Sequence, residues 1–146
     1  MLLIIVLVVI VGVYAITQWQ RARETGDLLG ALRSTDHSEA TKAMTALRDR
    51  GGSIQEQLIA NMSGGDDQLR WRSAVLLGSI HTAAARDVLE AALNDPYDDV
   101  RMNAALALGK LGEGRAAEAL SALAVNDDET PSVRTAAVRA LALLRS

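Results

Sequence analysis

Apolar residues recur at helical spacing through the second half of the chain, within a sequence motif that occurs three times. The copies occupy residues 69–80, 100–111 and 133–144, so they begin 31 and 33 residues apart. A fixed period of this size indicates one supersecondary unit stacked on copies of itself, because each unit alone cannot bury its apolar face. The pattern therefore predicts a repeat architecture.

Each repeat unit, which consists of the motif and the residues that follow it, predicts a pair of helices. In the middle copy, apolar side chains three and four residues apart fall on one side of a helix. They are Val100, Ala104, Ala105, Leu108 and Leu111. Glycines at 112 and 114 interrupt this helix, and a second apolar-periodic stretch follows at residues 116–124. Asp98 is a suitable residue to cap the first helix of this unit.

The middle unit carries a resemblance to a known family. Its sequence Asp98-Asp99-Val100-Arg101 precedes an alanine- and leucine-rich helix that ends in Leu-Gly-Lys-Leu-Gly at residues 108–112. This arrangement resembles the HEAT-repeat family. The unit of about 31 residues is similar to the short HEAT-like repeats of phycobilin lyases and many bacterial scaffold proteins. The resemblance covers residues 36–146, although residues 36–65 lack the Val-Arg pair.

The resemblance implies an all-α fold, a short α-α superhelical solenoid in which the second helix of each pair lines the concave face. It also implies that repeated arginines and aspartates form a ladder between neighbouring units. Such a ladder is structural rather than a binding site, because every unit repeats it. The residues assigned to the ladder are Arg70, Arg101, Arg134, Asp67 and Asp99.

The N-terminus has a different pattern. Residues 1–19 contain no charged side chain and would reach about 28 Å as a helix, close to the roughly 30 Å of a bilayer's hydrocarbon core. A single transmembrane helix is favoured over a cleaved secretory signal, because no Lys or Arg precedes the run and no small-residue cleavage motif follows it. The residues expected to meet lipid or the membrane interface are Leu2, Ile5, Val9, Tyr14, Trp19, Arg21 and Arg23.

Three parts follow from these patterns. They are a transmembrane anchor at residues 1–19, a juxtamembrane linker with a short helix at residues 20–35, and a HEAT-like domain of about three and a half helix pairs at residues 36–146. Arginines follow the span immediately, so the positive-inside rule favours a cytoplasmic repeat domain. We therefore expect a single-pass membrane protein.

Composition narrows the possible chemistry. The chain has 146 residues, a formal net charge of -3 and no cysteine. The absence of cysteine excludes disulfides and thiolate metal sites. The basic residues do not form a stripe, so we do not expect a nucleic-acid partner. The two histidines, His37 and His81, lack the spacing of a metal site or a nucleophile pair. We expect no catalytic residue, cofactor or metal, and hence a protein that is not an enzyme.

The surface offers candidates for partner binding. Trp71 lies between two arginines at a position where the other units have Met102 and Thr135, which is typical of a binding hot spot. Packing on a neighbouring helix or on lipid headgroups is the alternative. The last repeated helix has no second helix after it and is apolar over much of its circumference. The residues assigned to partner binding are Trp71, Arg72, Tyr97, Val138 and Leu143.

The sequence therefore predicts a membrane-anchored, non-catalytic adaptor or accessory subunit that binds a protein of a membrane complex. Residues 1–19 would contact lipid. One alternative is a bilin lyase or chromophore chaperone, because of the repeat type. Another is a structural scaffold that self-associates into a homo-oligomer through the last helix.

Overall fold

The structure is a computed structural model that describes residues 1–145, apart from the side chains of residues 2 and 3. The lipid contact expected of Leu2 lies outside the described side chains, and Ser146 lies outside the described residues. All regular structure in residues 1–145 is helical, which confirms the predicted all-α class. The α-helices of this range are α1 Leu2–Ala31, α2 His37–Asp49, α3 Gln55–Gly64, α4 Asp67–Ser79, α5 Arg86–Ala91, α6 Asp98–Leu111, α7 Ala117–Val125 and α8 Pro131–Leu144.

Three helix pairs and a final single helix form the repeat region. The pairs are α2 with α3, α4 with α5, and α6 with α7, and α8 follows alone within the described residues. The helices α4, α6 and α8 pack side by side, and each second helix packs on the first helix of the next pair. Short 3₁₀ helices at Gly51–Ile54, Ala83–Ala85 and Gly114–Ala116 join the two helices of each pair.

Leucines at equivalent positions build the core. The first helices place Leu47, Leu77 and Leu108 at 0% exposure, and the second helices do the same with Leu58, Leu89 and Leu120. Because each of these side chains is covered partly by its own pair and partly by the next, burial is complete only in the stack. Leu141 occupies the same position in α8, and it is only partly buried.

Neighbouring first helices approach closely at two glycines. A Cβ placed on Gly78 would lie 2.8 Å from the Cα of Ala107, and one on Gly109 would lie 2.6 Å from the Cα of Ala140. Glycine is required here because the partner atoms belong to backbone, which cannot rotate away as a flexible side chain can. These contacts set the spacing between units two and three and between unit three and α8.

One predicted helix cap is wrong. The helix α6 begins at Asp98 itself, and Tyr97 is its N-cap residue. The Asp98 carboxylate instead accepts a hydrogen bond from Arg101 at 2.7 Å. The Asp98 carboxylate, predicted to cap α6, therefore binds the ladder residue Arg101 instead. In α4, by contrast, the Asp66 side chain does cap the helix, since it accepts from the backbone N–H of Leu69 at 2.8 Å.

The first helix is longer than expected. The sequence predicts a span at residues 1–19 and a separate short helix near residues 28–32, whereas α1 continues without a break from Leu2 to Ala31. Gly26 and Gly30 do not interrupt it, and its end packs on the core through Leu28, Leu29 and the fully buried Leu32. The expected linker is therefore mostly the end of a rigid helix.

We expect Gly109→Ala to lower the free energy of unfolding by about 1–3 kcal/mol, because the added methyl would overlap the backbone of Ala140. Gly26→Ala is the matched control, since nothing lies within 4 Å of its Cβ position. That change should be neutral or should stabilise α1 by up to about 1 kcal/mol through helix propensity. Thermal unfolding measures both, and equal midpoints for the two variants would contradict the close-packing account.

Candidate partner-binding surfaces

A ladder of ion pairs joins consecutive units at the edge where first helices begin. The guanidinium of Arg70 donates from Nε and one terminal nitrogen to the two carboxylate oxygens of Asp95, at 2.8 and 3.1 Å. Its other terminal nitrogen donates to the backbone oxygen of Gly65 at 2.6 Å. Both side chains are largely buried, at 16% and 10% exposure. This bidentate ion pair links α4 to the turn that precedes α6.

Arg101 repeats this arrangement one unit later. It donates to Glu129 at 2.9 Å, to Asp98 at 2.7 Å and to the backbone oxygen of Asp95 at 2.7 Å. Hydrogen bonding to Asp95 raises the pKa of Arg70. Burial lowers the pKa of Arg101, but the hydrogen bond and charge of Glu129 outweigh it, so the net shift is upward. Both arginines therefore stay charged, as an inter-unit ion pair needs.

The acidic partners in this ladder differ from those expected. Arg70 and Arg101 pair with Asp95 and Glu129, not with Asp67 and Asp99. The reason is positional: Asp67 and Asp99 lie in the first turns of α4 and α6, whereas a ladder arginine reaches the turn that leads into the following unit. The third expected arginine, Arg134, donates to Asp127 at 3.2 Å, seven residues before it.

A second ladder runs along the opposite edge, where first helices end. The side chain of Thr82 donates to Gln55 at 2.7 Å, and Arg86 donates to Glu113 at 2.6 Å. Both contacts link the start of a second helix to the turn of the next unit. The sequence pattern missed them because the residue types change from unit to unit. Repeat alignment of polar positions in these turns is the signal that could have found them.

The same edge carries an exposed cluster around Arg115. This guanidinium donates to Asp87 at 2.7 Å and to both carboxylate oxygens of Glu90 at 3.1 Å. Hydrogen bonds to Glu90 and then Asp87 raise the pKa of Arg115. Since the cluster is exposed, solvent screening limits its contribution to stability. Its charges are mutually satisfied.

Arg72, assigned to partner binding from the sequence, is buried instead. Its side chain is 3% exposed, and one terminal nitrogen donates to the backbone oxygens of Leu32 at 2.6 Å and Ser34 at 2.9 Å. These carbonyls lie at the C-terminal end of α1, where the helix dipole favours a positive charge. The position is buried because α4 faces the end of α1 there. Arg72 thus joins α4 to α1 and cannot reach a partner.

A second arginine contacts α1 at residues 21–25. Arg50, at the end of α2, donates to the hydroxyl of Thr25, to the backbone oxygen of Arg21 at 3.3 Å and to Glu24 at 3.2 Å. Since Arg50 contacts residues 21–25 and Arg72 contacts residues 32 and 34, α1 is attached to the solenoid at two separate levels. This arrangement fixes the direction of α1 relative to the repeats.

The two aromatic candidates have different environments. Trp71 is half-buried and packs on the core, and the guanidinium of Arg72 lies 4.9 Å from its ring centre. Tyr97 is exposed, with Arg70 at 5.4 Å from its ring centre. Met102 and Leu106 of α6 are also partly buried and pack on the core. Trp71 remains a candidate contact residue.

The last helix presents an exposed apolar face. Val138 is 55% exposed and Leu143 is 45% exposed. Its packed side, against α6 and α7, is buried through Val133, Ala136, Ala137 and Ala140. The two partner-binding candidates of α8 therefore both lie outside its packed side.

The second helices are separated by shallow grooves. One groove of about 400 Å³ lies between α7 and the 3₁₀ helix Ala92–Asn94 that follows α5, and it is lined by Leu93, Asn94, Ala119, Ala122, Leu123 and Asn126. In the described residues no three histidine or acidic side chains lie together as a metal ion would require. His37 and His81 are exposed and far apart in the chain.

The repeat geometry agrees with a family comparison. The family described as HEAT repeats matches residues 55–142. The chain belongs to the HEAT-repeat family. This match confirms the resemblance noted in the middle unit. In the structure, the matched residues form the helix pairs of this HEAT-repeat protein.

Two named relatives match part of the chain. Phycocyanobilin lyase subunit alpha of Nostoc sp. is 40% identical over 101 residues, which cover 62% of this chain and 35% of that protein. The protein of the same name from Microchaete diplosiphon is 41% identical over 97 residues, 58% of this chain and 33% of that protein. The chain spans about a third of the length of the curated relatives it matches.

A solved structure shows the same fold. Human deoxyhypusine hydroxylase in complex with glycerol has a TM-score of 0.63 and 31% identity over 83% of this chain and 43% of that one. The prediction that the chain is not an enzyme is contradicted here, because the relatives and the structural neighbour are a lyase and a hydroxylase. The absence of a catalytic sequence motif was too weak a basis for that prediction.

We expect Arg72→Met to destabilise the protein by about 1–3 kcal/mol, because the carbonyls of Leu32 and Ser34 lose their donor. Limited proteolysis should also cut more rapidly between α1 and α2. Arg48→Met is the control, since this arginine is 55% exposed and pairs with its chain neighbour Asp49 at 3.8 Å. If both variants unfold at the wild-type temperature, Arg72 does not hold α1.

Proposed function

We propose that this chain is a membrane-anchored HEAT-repeat subunit that holds a protein partner within an enzyme assembly. The observation that carries the proposal is the continuity of α1. One helix is apolar and uncovered along its first part and is packed into the solenoid along its last part. Anchor and binding module are then a single rigid body.

The uncovered part supports membrane insertion. The helix contains a window of mean hydropathy 1.7 with none of its residues buried in the protein. Ile5, Val9, Tyr14 and Trp19 are all exposed. Leaving so many aliphatic side chains in water would be costly, whereas a bilayer covers them. Arg23 lies 5.7 Å from the ring centre of Trp19, an aromatic and basic arrangement suited to the headgroup region.

The packed part supports a fixed presentation of the repeats. Arg50 and Arg72 donate hydrogen bonds to α1 and its C-terminal end at two separate levels. The solenoid would therefore keep a fixed distance from the membrane and a fixed orientation relative to it. The basic residues Arg21 and Arg23 favour the cytoplasmic side for the repeats. A partner bound to the solenoid would then be held beside the bilayer rather than released from it.

The role within an enzyme rests on the comparisons. The two curated relatives are named as subunits of a lyase, and a subunit works together with another chain. This chain spans about a third of their length, so it would contribute a repeat surface to such an assembly. HEAT-like solenoids provide extended rigid surfaces of that kind.

To test the proposal, the full-length chain should stay in the membrane pellet after extraction with alkaline carbonate. Because the chain has no cysteine, Ser53→Cys adds a single label site at an exposed position near Arg21. An impermeant maleimide should label it only from the cytoplasmic side. Release by carbonate would contradict the anchor, and labelling from the outside would contradict the orientation.

The partner is tested in the same membranes. Solubilisation in mild detergent and affinity purification of the full-length chain should recover a protein in fixed stoichiometry. A second full-length chain with Val9→Arg in the span serves as control. Recovery of the partner by both chains would place recognition on the solenoid, and no stoichiometric protein with either would contradict the subunit role.

A second candidate function is the handling of a bilin, because both curated relatives carry phycocyanobilin in their names. The groove between α7 and the 3₁₀ helix Ala92–Asn94 would be the contact surface, since it is lined by small and apolar side chains with two asparagines. An extended tetrapyrrole would lie along such a groove, and the asparagine amides would donate to its oxygens.

Added phycocyanobilin should then acquire a shifted absorbance band and visible circular dichroism with the full-length protein. Ala122→Trp should abolish both signals by filling the groove, whereas Ala60→Trp, at an exposed position of α3 outside this groove, should preserve them. An unchanged spectrum with the wild-type protein would remove this candidate.

A further inference from the structure

A cleft lies between α1 and the start of the second helix of the first unit. One wall is α1, and the other is the 3₁₀ helix Gly51–Ile54 together with the first turn of α3. Its volume is about 540 Å³, within the range of sites for small molecules. Gly26 contributes no side chain to the α1 wall, so the space beside it stays open. The polar side chains that line the cleft are those of Gln18, Arg21, Thr25, Ser53 and Gln57.

Three of these side chains have unused hydrogen-bonding groups. Within the described part of the chain, the side chains of Gln18, Arg21 and Gln57 make no hydrogen bond or ion pair. The two hydroxyls of the cleft, by contrast, donate to backbone oxygens at 2.7 and 2.9 Å. One guanidinium and two amides are therefore available to a ligand in the cleft.

The cleft carries a positive charge. Among the described residues, Arg21 is the only charged residue in its lining. Glu24 lines the adjoining cavity instead, and its carboxylate is paired there with Arg50 at 3.2 Å. Arg50 also fixes the position of Arg21, because it donates to the backbone oxygen of that residue at 3.3 Å. No carboxylate in the cleft offsets the Arg21 guanidinium, so the cleft favours an anion.

The position of the cleft along α1 matches the headgroup layer of a bilayer. The exposed large apolar side chains of α1 end at Trp19, and Arg21 lies about 3 Å further along the helix axis. Each polar layer of a bilayer is roughly 5–8 Å thick. With residues 1–19 in the hydrocarbon core, Arg21 would therefore lie at the depth of the lipid phosphates. The exposed Val13 and Ile16 would lie beside the acyl chains of the same lipid.

We propose that this cleft binds the headgroup of an anionic phospholipid, with the phosphate on Arg21 and the headgroup hydroxyls on Gln18 and Gln57. A guanidinium donates two parallel hydrogen bonds to a phosphate, and a side-chain amide both donates to and accepts from a hydroxyl. The cleft has no carboxylate in its described lining to pair with the ammonium of ethanolamine or choline. Phosphatidylglycerol has the required chemistry. The inference rests on the proposed membrane anchor and adds the class of lipid that it binds.

A bound headgroup would also join two elements of the fold. Arg21 belongs to α1 and Gln57 to α3. A ligand held by both side chains therefore attaches α1 to the first unit at a third place, besides Arg50 and Arg72. Because a ligand that binds only the folded protein stabilises it, phosphatidylglycerol should raise the midpoint of thermal unfolding, whereas phosphatidylcholine should not.

The test is native mass spectrometry of the full-length protein in a non-ionic detergent, with added phosphatidylglycerol, phosphatidylethanolamine or phosphatidylcholine. We expect one molecule of phosphatidylglycerol to bind, about tenfold or more tightly than either zwitterionic lipid. Inorganic phosphate, added separately, distinguishes a lipid headgroup from a free anion. It should bind about tenfold or more weakly than phosphatidylglycerol, since it offers neither acyl chains to α1 nor headgroup hydroxyls to the amides.

Paired variants locate the site. Arg21→Gln should weaken phosphatidylglycerol binding by about tenfold or more, because the phosphate loses a charged donor. Arg23→Gln removes the same charge from the opposite side of α1, over Trp19, and should change binding by about twofold at most. Gly26→Leu should fill the cleft and abolish binding, whereas Gly30→Leu, on α1 but outside the lining, should preserve it. Thermal unfolding without lipid shows whether each variant is folded.

Several outcomes would overturn the inference. They are equal affinity for phosphatidylglycerol and the zwitterionic lipids, equal losses from Arg21→Gln and Arg23→Gln, phosphate binding as tight as lipid binding, and lipid binding that survives Gly26→Leu. Carbonate extraction reports on the anchor separately. If the chain resists carbonate while the lipid tests fail, the anchor stands and the cleft has no role in lipid binding. If carbonate releases the chain while lipid binding still depends on Arg21, the anchor fails and the ligand chemistry of the cleft stands.

Discussion

Burial of each unit's apolar face against the next unit is the constraint on which the rest of the structure depends. A single helix pair of this length cannot enclose Leu77 or Leu89, and only the neighbouring pairs complete their burial. The glycines at 78 and 109 let the backbones approach closely enough for small alanine side chains to fill the space. Arg70 and Arg101 then fix the register of the stacked units through charged hydrogen bonds that are largely removed from water.

The same constraint explains the two ends of the stack. At the N-terminal end α1 covers α2, with Leu32 in the core and the carbonyls at its terminus held by Arg72. The helix that supplies this cover is also the one that extends away as an exposed apolar segment. At the other described end, α8 has its inner side buried and its outer face exposed. Within the described residues the two sides of the stack therefore differ, because α1 covers the first pair whereas Val138 and Ala142 of α8 are exposed.

Much of the fold follows from sequence periodicity, whereas the candidate site follows from it only in part. The unit length, the helix pairs and the ladder arginines Arg70 and Arg101 are visible as repeats. Asp67 and Asp99 were the wrong acids, because a repeated motif cannot show which carboxylate of the next turn an arginine reaches. Arg72 looked like a surface residue because its acceptors are backbone oxygens 40 and 38 positions away, and backbone oxygens leave no trace in side-chain patterns.

By itself the sequence determined the repeat class, the all-helical architecture and the apolar character of the N-terminal helix, because periodicity and composition express local amphipathicity directly. Only the tertiary structure decided that α1 is continuous from Leu2 to Ala31, that Arg72 is buried, and that Val138 and Ala142 are exposed where their counterparts in α4 and α6 are covered. These properties depend on which elements meet in space. The contacts join residues from different units, and no local pattern contains them.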